Sequence, residues 1–229
     1  AFLNCNDMAG LKLGSGLKTI GEKAFFHNHG IESLEIPKTT EKIDYAAFAE
    51  CLGLKRVALG MSAAELVDNP FLGCAALQSF EVDANNEKYA AENGTLYAKD
   101  YTTLYIYPNG KNDKNFTMNA STKKVADFAF WYCKNLEKVE FSPAFNEFGY
   151  RAFCGCSGLN NLIIKTETPV ENPYTDDVFE NVKKESCTLT VPAGSKQAYL
   201  ASRTWKDFKI VEAVSDAVES VYSEKTTVK

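Results

Sequence analysis

Apolar residues recur along this chain with a period far longer than that of a helix or a strand. In Ile43 to Leu59, reading IDYAAFAECLGLKRVAL, Phe48 serves as an origin. Ile43 lies at −5 and Ala47 at −1, while Cys51, Leu54, Val57 and Leu59 lie at +3, +6, +9 and +11. The same template fits around Phe2, Phe25, Phe71, Phe130 and Phe153. The steps 2, 25, 48, 71 and the step from 130 to 153 are each 23 residues; 71 to 130 spans 59, one period plus 36. A fixed period of about 20 to 50 residues marks a solenoid, whose single coil cannot bury its apolar face without neighbours.

Within each coil the two-residue spacing of +9 and +11 predicts a strand with its apolar side inward, as in Leu34/Ile36, Val57/Leu59 and Val139/Phe141. A second short extended piece is expected at −5 (Ile20, Ile43, Leu66, Val125, Phe148), and a tight helical or 3₁₀ turn around the Phe. The outward columns are then Gly10, Ser33, Arg56, Ser79, Lys138 and Asn161 at +8, and Lys12, Glu35, Ala58, Glu81, Glu140 and Ile163 at +10.

The 36 extra residues follow Val82. Turn signals at Asn93-Gly94 and Pro108-Asn109-Gly110 flank β-prone Thr95 to Ala98 and Thr103 to Tyr107. They predict a hairpin or three-strand meander, over about 83–115, standing out from the solenoid. It carries Tyr89, Tyr97, Tyr101, Tyr105 and Tyr107; alternation sends about half of them inward. Beyond Ile164 the template degrades, and 166–213 reads as a cap. Thr188 to Pro192 supplies a strand, Ser195 an N-cap for a helix reaching about Trp205, and Lys209 to Glu212 a closing strand. Trp205 and Phe208 cover the last apolar face, which a solenoid must shield from water. Residues 214–229 are polar and unrepetitive, a linker or the start of a further segment.

The net charge of −5, without a run of Lys or Arg, disfavours a nucleic-acid groove. No apolar run reaches the roughly 18 residues of a membrane helix. The chain begins in mid-repeat at Ala1-Phe2, without Met, which reads as a piece of a longer protein and leaves export signals undecided.

AFAECLGLKRVAL and AFWYCKNLEKVEF resemble the repeat of BspA-like bacterial leucine-rich repeat proteins. The insert LYAKDYTTLYIYPNG and the ending VPAGSKQAYLASRTWKDFKIVE are similar to segments found with them. The resemblance implies a right-handed, curved leucine-rich repeat solenoid over 1–213, with one hairpin insertion and a β/α cap. It also implies a secreted or surface-anchored bacterial protein that adheres to host or neighbouring-cell proteins. Asn28 in place of Cys at +3, and Asn69-Pro70 before Phe71, depart from the repeat.

Five of the seven Cys (Cys5, Cys51, Cys74, Cys133, Cys156) share the +3 position, as buried turn thiols would. Seven is odd, so internal pairing cannot be complete, and the expectation is free thiols. His27 and His29 flank Asn28 without a CxxC partner, and Cys154-Gly-Cys156 is too short a motif for metal or redox chemistry. No metal or cofactor is expected. Carboxylates recur with the coil, as a solvated strand face requires. The sequons at Asn93, Asn115 and Asn119 matter only in a eukaryotic secretory pathway. The function expected is non-enzymatic recognition of a protein through Glu35, Arg56, Glu81, Lys138 and Glu140 on the strand face, with Tyr97 and Tyr105 of the hairpin beside them. The rival is carbohydrate binding on exposed hairpin Tyr; a Cys/His-dependent enzyme stands third.

Overall fold

The computed structural model describes residues 2–5, 8, 10–175 and 177–214. The chain is a β-solenoid of about 8 turns, almost without helix. Its first strands are β1 (Thr19–Ile20), β2 (Ser33–Glu35), β3 (Lys42–Ile43), β4 (Arg56–Gly60), β5 (Glu65–Leu66) and β6 (Ser79–Val82). The insert gives β7 (Tyr89–Glu92), β8 (Thr95–Ala98), β9 (Thr103–Ile106) and β10 (Asn115–Thr117). Then come β11 (Lys124–Val125), β12 (Lys138–Glu140), β13 (Glu147–Phe148), β14 (Asn161–Ile163), β15 (Thr188–Val191), helix α1 (Lys196–Ala201) and β16 (Lys209–Glu212).

Two parallel ladders run along the solenoid, one from the −5 positions and one from +8 to +10. Before the insert they are the sheets β1-β3-β5 and β2-β4-β6. After it they are β9-β11-β13, which carries β8 and β7 antiparallel on its edge, and β10-β12-β14-β15-β16. Pairings such as Leu34 with Val57 and Val139 with Leu162 join equivalent positions of adjacent coils. The template Phe rings stack along the axis: Phe2, Phe25, Phe48 and Phe71 at centroid spacings of 5.3, 5.0 and 5.6 Å. Each such pair contributes about 0.5–1.5 kcal/mol beyond its area burial.

The insert does not stand out from the solenoid. Its strands form the meander β7-β8-β9, antiparallel throughout, and β9 then joins β11 in parallel. Thr95, Leu96 and Tyr97 of β8 are all buried, so this strand has no solvent face. Leu96 and Ile106 pack into the core of the first coils, while Tyr97, Leu104 and Tyr107 pack into the core of the last. The insert is therefore a wall between two half-cores.

Its second half is a further coil. Tyr107 stacks on Phe130 at 5.2 Å and 20°, 23 residues before it, and Phe116 pairs with Val139 at the same separation. Gly110 stands where Cys is usual because its amide donates to the Leu77 carbonyl, and a Cβ there would strike the Ala75–Leu77 backbone. Asn69 also finds its reason here. In regular coils the Phe N–H donates to the next coil, as Phe48 does to the Pro70 carbonyl. At Phe71 that neighbour is displaced, and Asn69 Oδ1 accepts the amide instead, at 2.9 Å.

At the C-terminal end Phe179 stacks on Phe153 at 5.3 Å despite its 26-residue spacing. Trp205 is fully buried against Phe141, Phe148 and Phe179, and its indole N–H donates to the Val170 carbonyl. Two expectations for this unit are corrected. Helix α1 ends at Ala201 rather than near Trp205, because the chain turns at Ser202 to lay Trp205 onto the core. Ser195 makes no side-chain cap; Glu212 Oε1, on β16, accepts the amides of Gly194 and Lys196 instead. Residues 215–229 of the expected polar tail lie outside the described residues.

Candidate functional site

The +8 and +10 columns face outward as the alternation requires, with Val57 and Leu59 buried between half-exposed Arg56 and Ala58. Parallel register brings three of the expected residues together. Arg56 lies 2.7 Å from Glu81 and 3.7 Å from Glu35, bridging coils on either side of its own. Exposed ion pairs contribute at most about 1 kcal/mol, so stability does not require this cluster.

Lys138 and Glu140 lie on the other strand sheet, beyond the insert, and do not join it. Glu140 pairs with Lys165 at 2.6 Å, whereas Lys138 forms no ion pair among the described residues. Beside Lys138 run Asn115 and Asn161, and the column continues through Thr188 to Lys209. The strand face thus has an acid-base cluster on one sheet and a polar, cationic column on the other.

Tyr97 is 0% exposed, inside the second half-core, and cannot touch a partner. Tyr105 is half-buried, edge-on to Tyr89 at 5.5 Å. Tyr89 and Tyr107 are buried as well, so more of the insert tyrosines face inward than alternation suggests. Tyr97 is inward because β8 is buried on both faces, while Tyr89 packs into the first half-core and Tyr107, past the end of β9, into the second. Among the described residues the Tyr107 hydroxyl has no hydrogen-bond partner, and burial raises the Tyr97 and Tyr107 phenols well above their ordinary range.

All seven cysteines are free. The +3 thiols donate back to the preceding coil: Cys51 to the Phe25 carbonyl, Cys74 to Phe48 and Cys156 to Phe130, at 3.2, 3.1 and 2.9 Å. Asn28 does the same to Phe2, at 2.6 Å, which explains the substitution. Burial pushes the Cys74 and Cys133 thiols well up, Cys154 to about 11 and Cys187 to about 12. A thiolate nucleophile is disfavoured at these positions. Cys5 alone is exposed. We expect native protein to show one rapidly reacting thiol and unfolded protein seven; one or none after unfolding without reductant would mean a disulfide-braced solenoid. His27 lies on Phe26 at 4.1 Å, and His29 Nδ1 accepts the Leu52 amide.

A second concave feature was not apparent in the sequence. On the turn side, a groove of about 630 Å³ is lined by Glu50, Leu52, Gly73 and Ala75 on one wall and Asn109, Trp131, Tyr132, Lys134 and Asn135 on the other. The walls come from coils on opposite sides of the meander. They meet because Asn69 Nδ2 donates to the Phe128 carbonyl at 3.1 Å and the Phe128 ring approaches Tyr45.

A family model for the BspA type leucine-rich repeat region matches residues 1–95 and 103–225, in six copies. The chain belongs to this family. The second matched stretch begins at Thr103, the first residue of β9, and so includes the coil of Tyr107. Among solved structures, the BspA-type chain resembles the pneumococcal vaccine antigen PcpA (21% identity, TM-score 0.58, covering 90% of this chain and 68% of that one). It also resembles a leucine-rich repeat protein of Eubacterium ventriosum (22% identity, TM-score 0.56, covering 90% and 67%). At these identities the likeness is one of fold. No curated protein matches the chain. The described residues contain no helix long and apolar enough to cross a membrane.

Proposed function

We propose that this BspA-type chain is a non-enzymatic recognition module displayed on a bacterial surface, binding a protein of a host or neighbouring cell through its strand face. The observation that carries this reading is the Glu35–Arg56–Glu81 cluster, built across three coils at outward positions. A mixed-charge surface selects a partner by charge pattern and suits a protein better than a uniformly anionic polymer. The family and its fold are typically non-enzymatic and associated with protein interaction. Surface display is supported by the family and by the printed description of PcpA as a vaccine antigen.

Carbohydrate binding on the insert tyrosines has lost its platform, because Tyr97 is buried and Tyr105 half-buried. The test applies the protein to an array of extracellular and cell-surface proteins beside a glycan array. The expected result is a protein hit that weakens at least roughly tenfold in Arg56→Glu/Lys138→Glu, with an unchanged circular dichroism spectrum. A protein hit indifferent to both substitutions would remove the strand face from the interaction.

A further inference from the structure

The groove on the turn side is built from residues that the core does not need. Positions −2 and +2 of the coils adopt left-handed backbone: φ is 51° at Lys23, 54° at Ala46, 58° at Glu50 and 71° at Gly73. This region disfavours bulky side chains. The coil of Phe130 nevertheless places aromatics at both, Phe128 (φ 55°) and Tyr132 (φ 54°). Phe128 has a structural use, since it supports Trp131 edge-on at 5.3 Å and seals the corner against Leu72. Tyr132 has none of comparable weight: it is 39% exposed, beside Trp131 at 5.0 Å. Its ring also lies across Gly155, where any Cβ would meet it at 2.6 Å. Tyr132 is thus presented to solvent from a backbone conformation that disfavours it, with half-buried Trp131 beside it.

Asn135 Nδ2 donates to the Lys111 carbonyl at 3.1 Å, which leaves its Oδ1 to accept, and the other polar groups around the rings are less engaged. Among the described residues the Trp131 indole N–H, the Asn109 amide and the Glu50 carboxylate make no side-chain hydrogen bond or ion pair. Lys134 meets only the Tyr132 ring, at 5.3 Å. Glu50 leans over Gly73, where a Cβ would lie 2.6 Å from its carboxylate oxygen, so the glycine lets the acid lie along the groove wall. Ring faces with amide, indole and carboxylate groups at their edges match the two surfaces of a pyranose. Its axial C–H face packs on an aromatic ring, and its equatorial hydroxyls both donate and accept. The volume falls within the roughly 300–1,000 Å³ of small-molecule sites. Glu50 and Lys134 leave the lining with one charge of each sign, which fits a neutral sugar better than an acidic one.

We propose that this groove is a glycan-binding site for a neutral oligosaccharide segment, stacked on Trp131 and Tyr132 and hydrogen-bonded by Glu50, Asn109 and Asn135. It is separate from the strand face, and neither site depends on the other. The chain offers a direct readout, because it has two Trp and the other, Trp205, is fully buried.

The experiment titrates the whole chain with cello-, xylo-, manno-, malto- and chitohexaose and follows tryptophan emission, with a sialylated hexasaccharide as the acidic comparison. Saturable change with at least one neutral hexasaccharide is expected. The affinity should fall at least roughly tenfold in Tyr132→Ala and in Glu50→Gln, while Arg56→Glu/Lys138→Glu leaves it unchanged. Binding by Trp131→Ala is followed by calorimetry and should also be lost. Glu50→Gln keeps the fold, so failure of an aromatic variant to fold does not remove the test. No response to any neutral sugar would overturn the proposal. So would binding that survives both Tyr132→Ala and Glu50→Gln, preference for the sialylated probe, or a groove that responds to a peptide instead.

Discussion

Trp205→Ala is expected to destabilise the chain by about 3–5 kcal/mol, the usual cost of truncating a buried aromatic. Trp205 closes the core against Phe141, Phe148 and Phe179, and its removal also leaves the Val170 carbonyl without its donor. Deleting Thr188 to Glu212 is expected to go further. It strips two strands from the parallel ladder and opens the edge of β14 together with the last Phe rings. Unpaired strand edges over an apolar core promote association. Size-exclusion chromatography should show aggregation of the truncated chain, and thermal melting should show a lower midpoint for Trp205→Ala. A monodisperse truncation that melts like the full chain would mean that this unit caps nothing.

The second large effect separates a coil from a projecting hairpin. Tyr107→Ala is expected to cost about 3–5 kcal/mol, because the ring is buried in the second half-core, stacked on Phe130 and edge-on to Phe116. Tyr107→Phe should be neutral or slightly stabilising, since the hydroxyl is buried with no partner among the described residues. Denaturant unfolding of both variants measures the contrast. A residue on a protruding hairpin would instead tolerate Ala within about 0.5 kcal/mol.

That coil shows where the sequence was legible and where it was not. The 23-residue period exposed six coils because each repeats Phe, an inward strand pair and, in most, a small +3 residue. The coil of Tyr107 keeps the period to Phe130 and the apolar pair Phe116/Met118 at +9 and +11. It disguises the rest: Tyr for Phe, Gly110 for Cys, Asp113 at +6, and Leu104 pairing with Val125 two positions out of template. Measuring the period backward from Phe130 would have found it. The burial of β8 on both faces was not legible, since alternation cannot reveal that a second core lies behind a strand. Asn69 did carry a signal, because an amide before Phe71 is what a coil needs when its neighbour is missing.

The strand-face residues followed directly from alternation, and the register then added what one coil could not show. Arg56 meets Glu35, 21 residues before it, and Glu81, 25 after it, only because coils 23 residues apart stack in parallel. The turn-side groove had no such pattern. Its walls are brought together by Asn69 and Phe128, 59 residues apart, and depend on how the insert folds.

The most direct measurement of strand-face recognition is hydrogen–deuterium exchange of the chain with and without a bound protein partner from the array. Slowed exchange in 33–35, 56–60, 79–82 and 138–140, with little change elsewhere, is the expected result. Protection confined to the turns at 46–53 and 128–135, with the strands exchanging as in the free chain, would contradict it.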